Sequence, residues 1–148
     1  MTTIDSQRSR AEDAPVRRFQ PLRSVLAVVA GFVAVIVLSL VTDQIFHSLH
    51  VFPPWDKPMD DAGDNLLALT YRCVYAVVGS YITARLAPSS PMWHVWIWAT
   101  IGFILSIGGI IAALNVHLGP IWYPVALTLT TFPCAWMGGL LHRKWHGE

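Results

Sequence analysis

The chain has 148 residues, of which 54% are hydrophobic and only 13% are charged, and its mean hydropathy is +0.49. Because charged residues make up about a quarter of an average soluble domain, this composition predicts one membrane domain. The basic residues gather near the chain ends and the acidic ones in one loop, so nucleic acid is not an expected partner.

The first part of the chain divides into a tail and a helix. Residues 1–21 hold four arginines and little that is apolar, a composition that predicts a disordered basic cytoplasmic tail before a membrane domain over 22–148. The first helix is predicted over about 22–49, since Val25 to Thr42 contains no charged residue. An apolar run of this length spans a bilayer and exceeds that of a signal peptide, so the helix is predicted to stay uncleaved.

Three further helices are predicted over about 64–86, 92–114 and 121–141, because prolines and polar turns separate the remaining apolar segments. The third carries a stripe of small residues that would let another helix approach closely. These residues are Gly102, Ser106, Gly109 and Ala113.

Pro133 lies in the middle of the predicted fourth helix. It frees the carbonyl oxygen of Leu129, and the hydroxyls of Thr130 and Thr131 are close enough in sequence to compensate. A kink rather than a break is therefore predicted at Pro133.

Four membrane spans place both termini on one side, and the positive-inside rule selects that side as cytoplasmic. Only Lys57 falls on the opposite side. The terminal side has eight basic residues, namely Arg8, Arg10, Arg17, Arg18, Arg23, Arg85, Arg143 and Lys144. The predicted fold is all-α, an antiparallel bundle of four transmembrane helices in a bacterial inner membrane, with cytoplasmic N- and C-termini.

Asp43 and Arg72 are charged residues that lie away from the ends of the predicted first and second helices. At 1.5 Å per residue they lie at similar depths, and a charge alone in hydrocarbon is unfavourable, so a buried ion pair is predicted. Tyr71 and Tyr75 are assigned to the same polar hub or to packing. Two interpretations stay open: a structural contact that fixes helix register, or a hub in a proton, ion or substrate path.

A metal site is a weaker alternative. Asp43, His47 and His50 lie at i, i+4 and i+7 on one predicted helix face, and His117 falls on the same side of the membrane. Their nitrogen and oxygen donors suit zinc or another divalent ion, although interfacial histidines are also common without a metal. Haem would need facing histidines within the bundle, but the histidines fall at helix ends. No cofactor is therefore predicted.

The sequence contains no Ser-His-Asp pattern, Gly-rich phosphate loop or catalytic carboxylate pair, so an enzyme is not the favoured interpretation. The segments S-L-V-T-D, V-F-P-P, Y-R-C-V-Y and G-P-I-W-Y-P give the chain a pattern over about residues 22–141. It resembles the small uncharacterised four-span integral membrane proteins of bacteria, a resemblance that implies location and architecture but no activity.

The expected function is that of a non-catalytic structural or accessory membrane component. Its expected partners are the lipid bilayer and either a second copy or another membrane protein. The alternative is a small transporter or an ion- or metal-binding subunit that uses Asp43, Arg72 and the histidines.

Overall fold

The computed structural model describes residues 20–116 and 119–146. Of these residues 82% are helical and none forms a strand, which confirms the all-α prediction. The four helices are α1 (Pro21–Ser48), α2 (Ala62–Leu86), α3 (Pro91–Asn115) and α4 (Trp122–His146). Each is long and apolar enough to cross a membrane. The predicted tail over 1–21 lies outside the described residues except for Gln20 and Pro21.

Local sequence explains where α2 begins and where α4 ends. The Asp61 carboxylate caps α2 by accepting hydrogen bonds from the backbone N–H groups of Gly63 (2.7 Å) and Asp64 (3.1 Å). The helix therefore begins slightly before the predicted position 64. The other helix, α4, continues past the predicted end at 141 to His146. Basic residues in its last turn favour this extension because they face the negative end of the helix dipole.

The helices alternate in direction, and α2 contacts the other three. Asp43 pairs with Arg72 whereas Gly31 lies against Gly79, so α1 and α2 run antiparallel. Within the described residues α1 contacts α2 and α3 but not α4. The bundle is therefore a four-helix arrangement in which α2 and α3 lie across the shorter diagonal.

One half of the bundle, here called the terminal half, contains the helix ends at Pro21, Leu86, Pro91 and His146. It is closely packed around a core cluster of Ala84, Val95, Trp98, Ala99 and Ala135.

Glycines permit this close packing of the terminal half. A Cβ atom built on Gly31 would lie 2.6 Å from the carbonyl oxygen of Gly79, and one on Gly138 would lie 2.9 Å from the backbone nitrogen of Tyr81. Backbones thus approach where no larger residue fits.

The opposite half, here called the distal half, contains the helix ends at Ser48, Ala62, Asn115 and Trp122. Fewer of its residues are buried, and the buried helical ones are mostly polar: Asp43, Asn65 and Thr128. The distal half therefore depends on polar contacts more than on a continuous apolar core.

Within the described chain, the small-residue stripe of α3 shows no close helix approach, and packing of another copy there stays a prediction. A Cβ on Gly102 would meet only ordinary contacts, the nearest being Thr131 Cγ2 at 3.6 Å, and one on Gly109 would meet nothing within 4 Å. Ser106 donates a hydrogen bond to its own helix, and Ala113 is half-buried. The close approaches occur at Gly31, Gly79 and Gly138 instead, because they lie in the terminal half and most of the stripe in the distal half.

Helix α4 continues through Pro133 without a break. The hydroxyl of Thr130 donates to the carbonyl oxygens of Ala126 and Leu127, and that of Thr131 donates to Leu127. Threonine side chains in a helix reach back about one turn, so they satisfy these carbonyls rather than that of Leu129. The kink itself stays a prediction.

Candidate functional site

The centre of the distal half is a contact between the oppositely charged side chains of Asp43 on α1 and Arg72 on α2. Arg72 Nη2 donates a hydrogen bond to Asp43 Oδ2 over 2.7 Å. The side chain of Asp43 is 10% exposed and that of Arg72 is 34% exposed. The Asp43 side chain is thus almost covered, whereas about a third of the Arg72 side chain is exposed.

Tyrosines of α2 complete the contact with α1. The hydroxyl of Tyr71 donates a hydrogen bond to Asp43 Oδ1, so each carboxylate oxygen accepts a bond from α2. One turn along α2, the hydroxyl of Tyr75 and that of Thr42 are hydrogen-bonded at 2.7 Å. Thr42 and Asp43, which are consecutive on α1, are therefore hydrogen-bonded to consecutive turns of α2.

Helix α4 adds Tyr123 to this site. The guanidinium carbon of Arg72 lies 5.9 Å from the centroid of the Tyr123 ring, within the range of a cation–π contact. In the described part of the chain, buried Arg72 Nε and the buried Tyr123 hydroxyl have no hydrogen-bond partner. A guanidinium has five N–H donors, so the carboxylate does not use its full capacity.

A cavity of about 370 Å³ adjoins the ion pair and is bordered by all four helices. This volume falls within the range of small-molecule sites, roughly 300–1,000 Å³. The lining is mainly apolar. Its polar or charged members include Ser39, Asp43, Arg72, Ser106, Thr130 and Thr131.

A second cavity, of about 240 Å³, is lined by Arg72, Tyr123 and Asn65 together with the connecting residues Met59 and Gly119. Arg72 lines both cavities. Its side chain therefore lies between the connecting segments of the distal half and the cavity among the helices.

Of the residues considered for a metal site, the described ones, Asp43, His47 and His50, do not share one helical face. The ring of His47 lies 3.9 Å, centroid to centroid, from that of Trp55. His50 follows the end of α1 with φ 58°, so it does not continue the helical face of Asp43 and His47. No group of three or more His, Cys, Asp or Glu side chains among residues 20–116 and 119–146 is placed to hold a metal. His117 lies outside the described residues.

Sequence reasoning missed Thr42 and Tyr123 at this site. Thr42 could have been found from the sequence, because it is adjacent to Asp43 and because its partner Tyr75 follows Tyr71, the partner of Asp43, by one helical turn. Tyr123 had none, because its contact with Arg72 depends on how α4 packs against α2.

These features define the class of the protein: a small multi-pass helical membrane protein with four candidate spans. Comparison with family models, with curated proteins and with solved structures gives no match for this chain.

Proposed function

We propose that this protein is a non-catalytic structural or accessory component of a bacterial inner membrane, in which the Asp43–Arg72 pair fixes α1 against α2. The observation that carries the proposal is the satisfied carboxylate: both oxygens of the nearly covered Asp43 accept hydrogen bonds from α2. A carboxylate held from two positions defines both the register and the rotation of a helix.

The energetics support a role in positioning. Removing one member of a buried ion pair costs about 3–5 kcal/mol, because the remaining charge is left without a partner. The side chain of Arg72 is 34% exposed, so we expect the lower end of this range, about 3 kcal/mol.

The proposed orientation places both termini in the cytoplasm. Its support is the distribution of basic residues, eight on the terminal side against Lys57 on the other. Fusions of a fluorescent protein or alkaline phosphatase to the C-terminus test it. Fluorescence without phosphatase activity is expected, and the reverse result would contradict the orientation.

The structural role is tested with Asp43→Asn and Arg72→Gln, using Asp56→Asn and Arg85→Gln as matched controls at exposed positions. Folded yield and melting temperature in mild detergent are the readouts. Asp43→Asn and Arg72→Gln should each lower the folded yield and the melting temperature, and the two controls should keep both quantities near their wild-type values. If the pair variants behave like the controls, the proposed role is wrong.

A second candidate function is that of a small transporter or ion-binding subunit. It is favoured by the position of Arg72 between two cavities. Proteoliposomes that contain a pH-sensitive dye provide a test for protons. A transporter should move protons faster than protein-free vesicles, and Ser106→Leu, which places a larger side chain in the cavity, should slow that movement.

Association with a second copy or another membrane protein remains a prediction.

A further inference from the structure

The 370 Å³ cavity has its rim on the lipid-facing surface between α1 and α3. The lining residues Ile36, Leu40 and Leu105 are 53%, 58% and 63% exposed, which places aliphatic side chains on both helices at this rim. Toward the terminal half, the rings of Phe32 and Trp98 stack with centroids 5.0 Å apart and close the space. A molecule that enters through such a rim comes from the hydrocarbon rather than from water.

The polar end of the cavity offers hydrogen-bond donors. Asp43 is nearly covered and both its oxygens already accept hydrogen bonds, so it provides little to a ligand. Arg72 is the more exposed member of the pair and binds the carboxylate through Nη2. The remaining guanidinium N–H groups favour a ligand that supplies an acceptor oxygen.

The charge balance of the cavity restricts that acceptor. Asp43 and Arg72 are the charged side chains in its lining, and their charges cancel. An anionic ligand would leave one negative charge uncompensated among the helices, where isolated charges are unfavourable. A carbonyl oxygen accepts the same hydrogen bond without adding charge.

We propose that this cavity binds a neutral lipid-soluble molecule with a carbonyl-bearing head and an apolar chain. The head lies at Arg72, and the chain follows the aliphatic rim between α1 and α3. Prenyl quinones and neutral acyl esters share this chemistry. The binding site goes beyond the structural role proposed above, because the pair can hold α1 against α2 whether or not the cavity is occupied.

The test compares two leucine substitutions on α3. Ser106→Leu puts a larger side chain into the cavity, whereas Gly108→Leu adds the same side chain where no atom lies within 4 Å. Each purified variant is titrated with a decyl quinone in lipid nanodiscs, and bound probe is counted by native mass spectrometry. Wild type and Gly108→Leu should bind the probe saturably, and Ser106→Leu should not.

A third variant tests the donor role of Arg72. Lysine keeps the positive charge for Asp43 but loses the planar set of donors. Arg72→Lys should therefore fold, as judged by gel filtration, and bind the quinone roughly tenfold more weakly, the effect of losing one charged hydrogen bond. Unchanged affinity in folded Arg72→Lys would contradict a head group at Arg72.

Two further probes identify the source of the ligand. Saturable binding of monoolein with the same dependence on Ser106 supports the proposal with an acyl ester as the occupant. Tighter binding of oleate than of either neutral probe overturns the neutral head group. Absence of saturable binding by both neutral probes, or equal binding by Ser106→Leu and wild type, overturns the site. The structural role of the ion pair is tested by the melting temperatures of Asp43→Asn and Arg72→Gln, and the binding site is tested by these titrations. Either proposal can therefore be contradicted while the other stands.

Discussion

The terminal and distal halves of this bundle hold their helices together in different ways. In the terminal half, glycines allow backbones to approach around a small apolar core. In the distal half, side-chain hydrogen bonds and an ion pair connect helices that leave two cavities between them. In lipid, where burial of apolar surface provides little driving force between helices, both close packing and polar contacts stabilise association.

This difference predicts different sensitivities. Added volume should destabilise the terminal half, because its backbones have no space to move apart without losing contacts. Loss of a polar partner should destabilise the distal half, whereas added volume near its cavities should be tolerated.

The largest effect is expected from Gly138→Leu in the terminal half. A side chain there would overlap Ser80 and the backbone of α2. Overpacking of this severity should lower the free energy of unfolding by about 3 kcal/mol or more. The free energy of unfolding is measured in mixed micelles that contain increasing fractions of dodecyl sulfate.

The control for this substitution is Gly108→Leu in the distal half, where the space is open. It should change the free energy of unfolding by no more than about 1 kcal/mol in either direction. Equal destabilisation by the two variants would remove the distinction between the halves.

An intermediate effect is expected from Asn65→Ala in the distal half. The buried Asn65 amide donates to the carbonyl oxygens of Met59 (2.6 Å) and Asp61 (2.7 Å) and so holds the connection between α1 and α2. Losing both hydrogen bonds should cost about 2 kcal/mol in the same unfolding assay. Asn115→Ala, at an exposed residue bonded within its own helix, should cost less than about 0.5 kcal/mol. Similar losses in the two variants would contradict the role of Asn65.

The smallest effect is expected from Tyr75→Phe, which removes the hydrogen bond to Thr42. Hydrogen bonds between membrane helices contribute about 0.6 kcal/mol on average, so a loss of that size is expected in the unfolding assay. Thr42→Val should produce a similar loss, and the double variant should lose no more than either single one. Fully additive losses would show that the two hydroxyls do not interact in the folded protein.

Sequence predicted the class and the four helices because hydropathy over a bilayer-length window is a local property. Asp43 and Arg72 were identified for a related reason: charges are rare inside apolar segments, and the depth of each follows from its position along a helix. The prediction of their pairing used only their similar depths and the cost of leaving either charge alone in hydrocarbon.

The remaining features depend on helix rotation and crossing, which a single sequence does not specify. Gly102 and Gly109 formed the more regular stripe, yet the close approaches occur at Gly31 and Gly138. The metal hypothesis assumed that α1 extends to His50, but the helix ends at Ser48. The larger cavity is lined by residues from all four helices and the smaller one by residues from three, so no local pattern indicated them.

The most direct measurement of the central claim is the coupling free energy between Asp43 and Arg72. Asp43→Asn, Arg72→Gln and the double variant form a thermodynamic cycle in the unfolding assay. Each single variant should lose about 3 kcal/mol, and the double variant should lose clearly less than their sum, because neither charge is left without its partner. Strictly additive losses would contradict an ion pair that fixes α1 against α2.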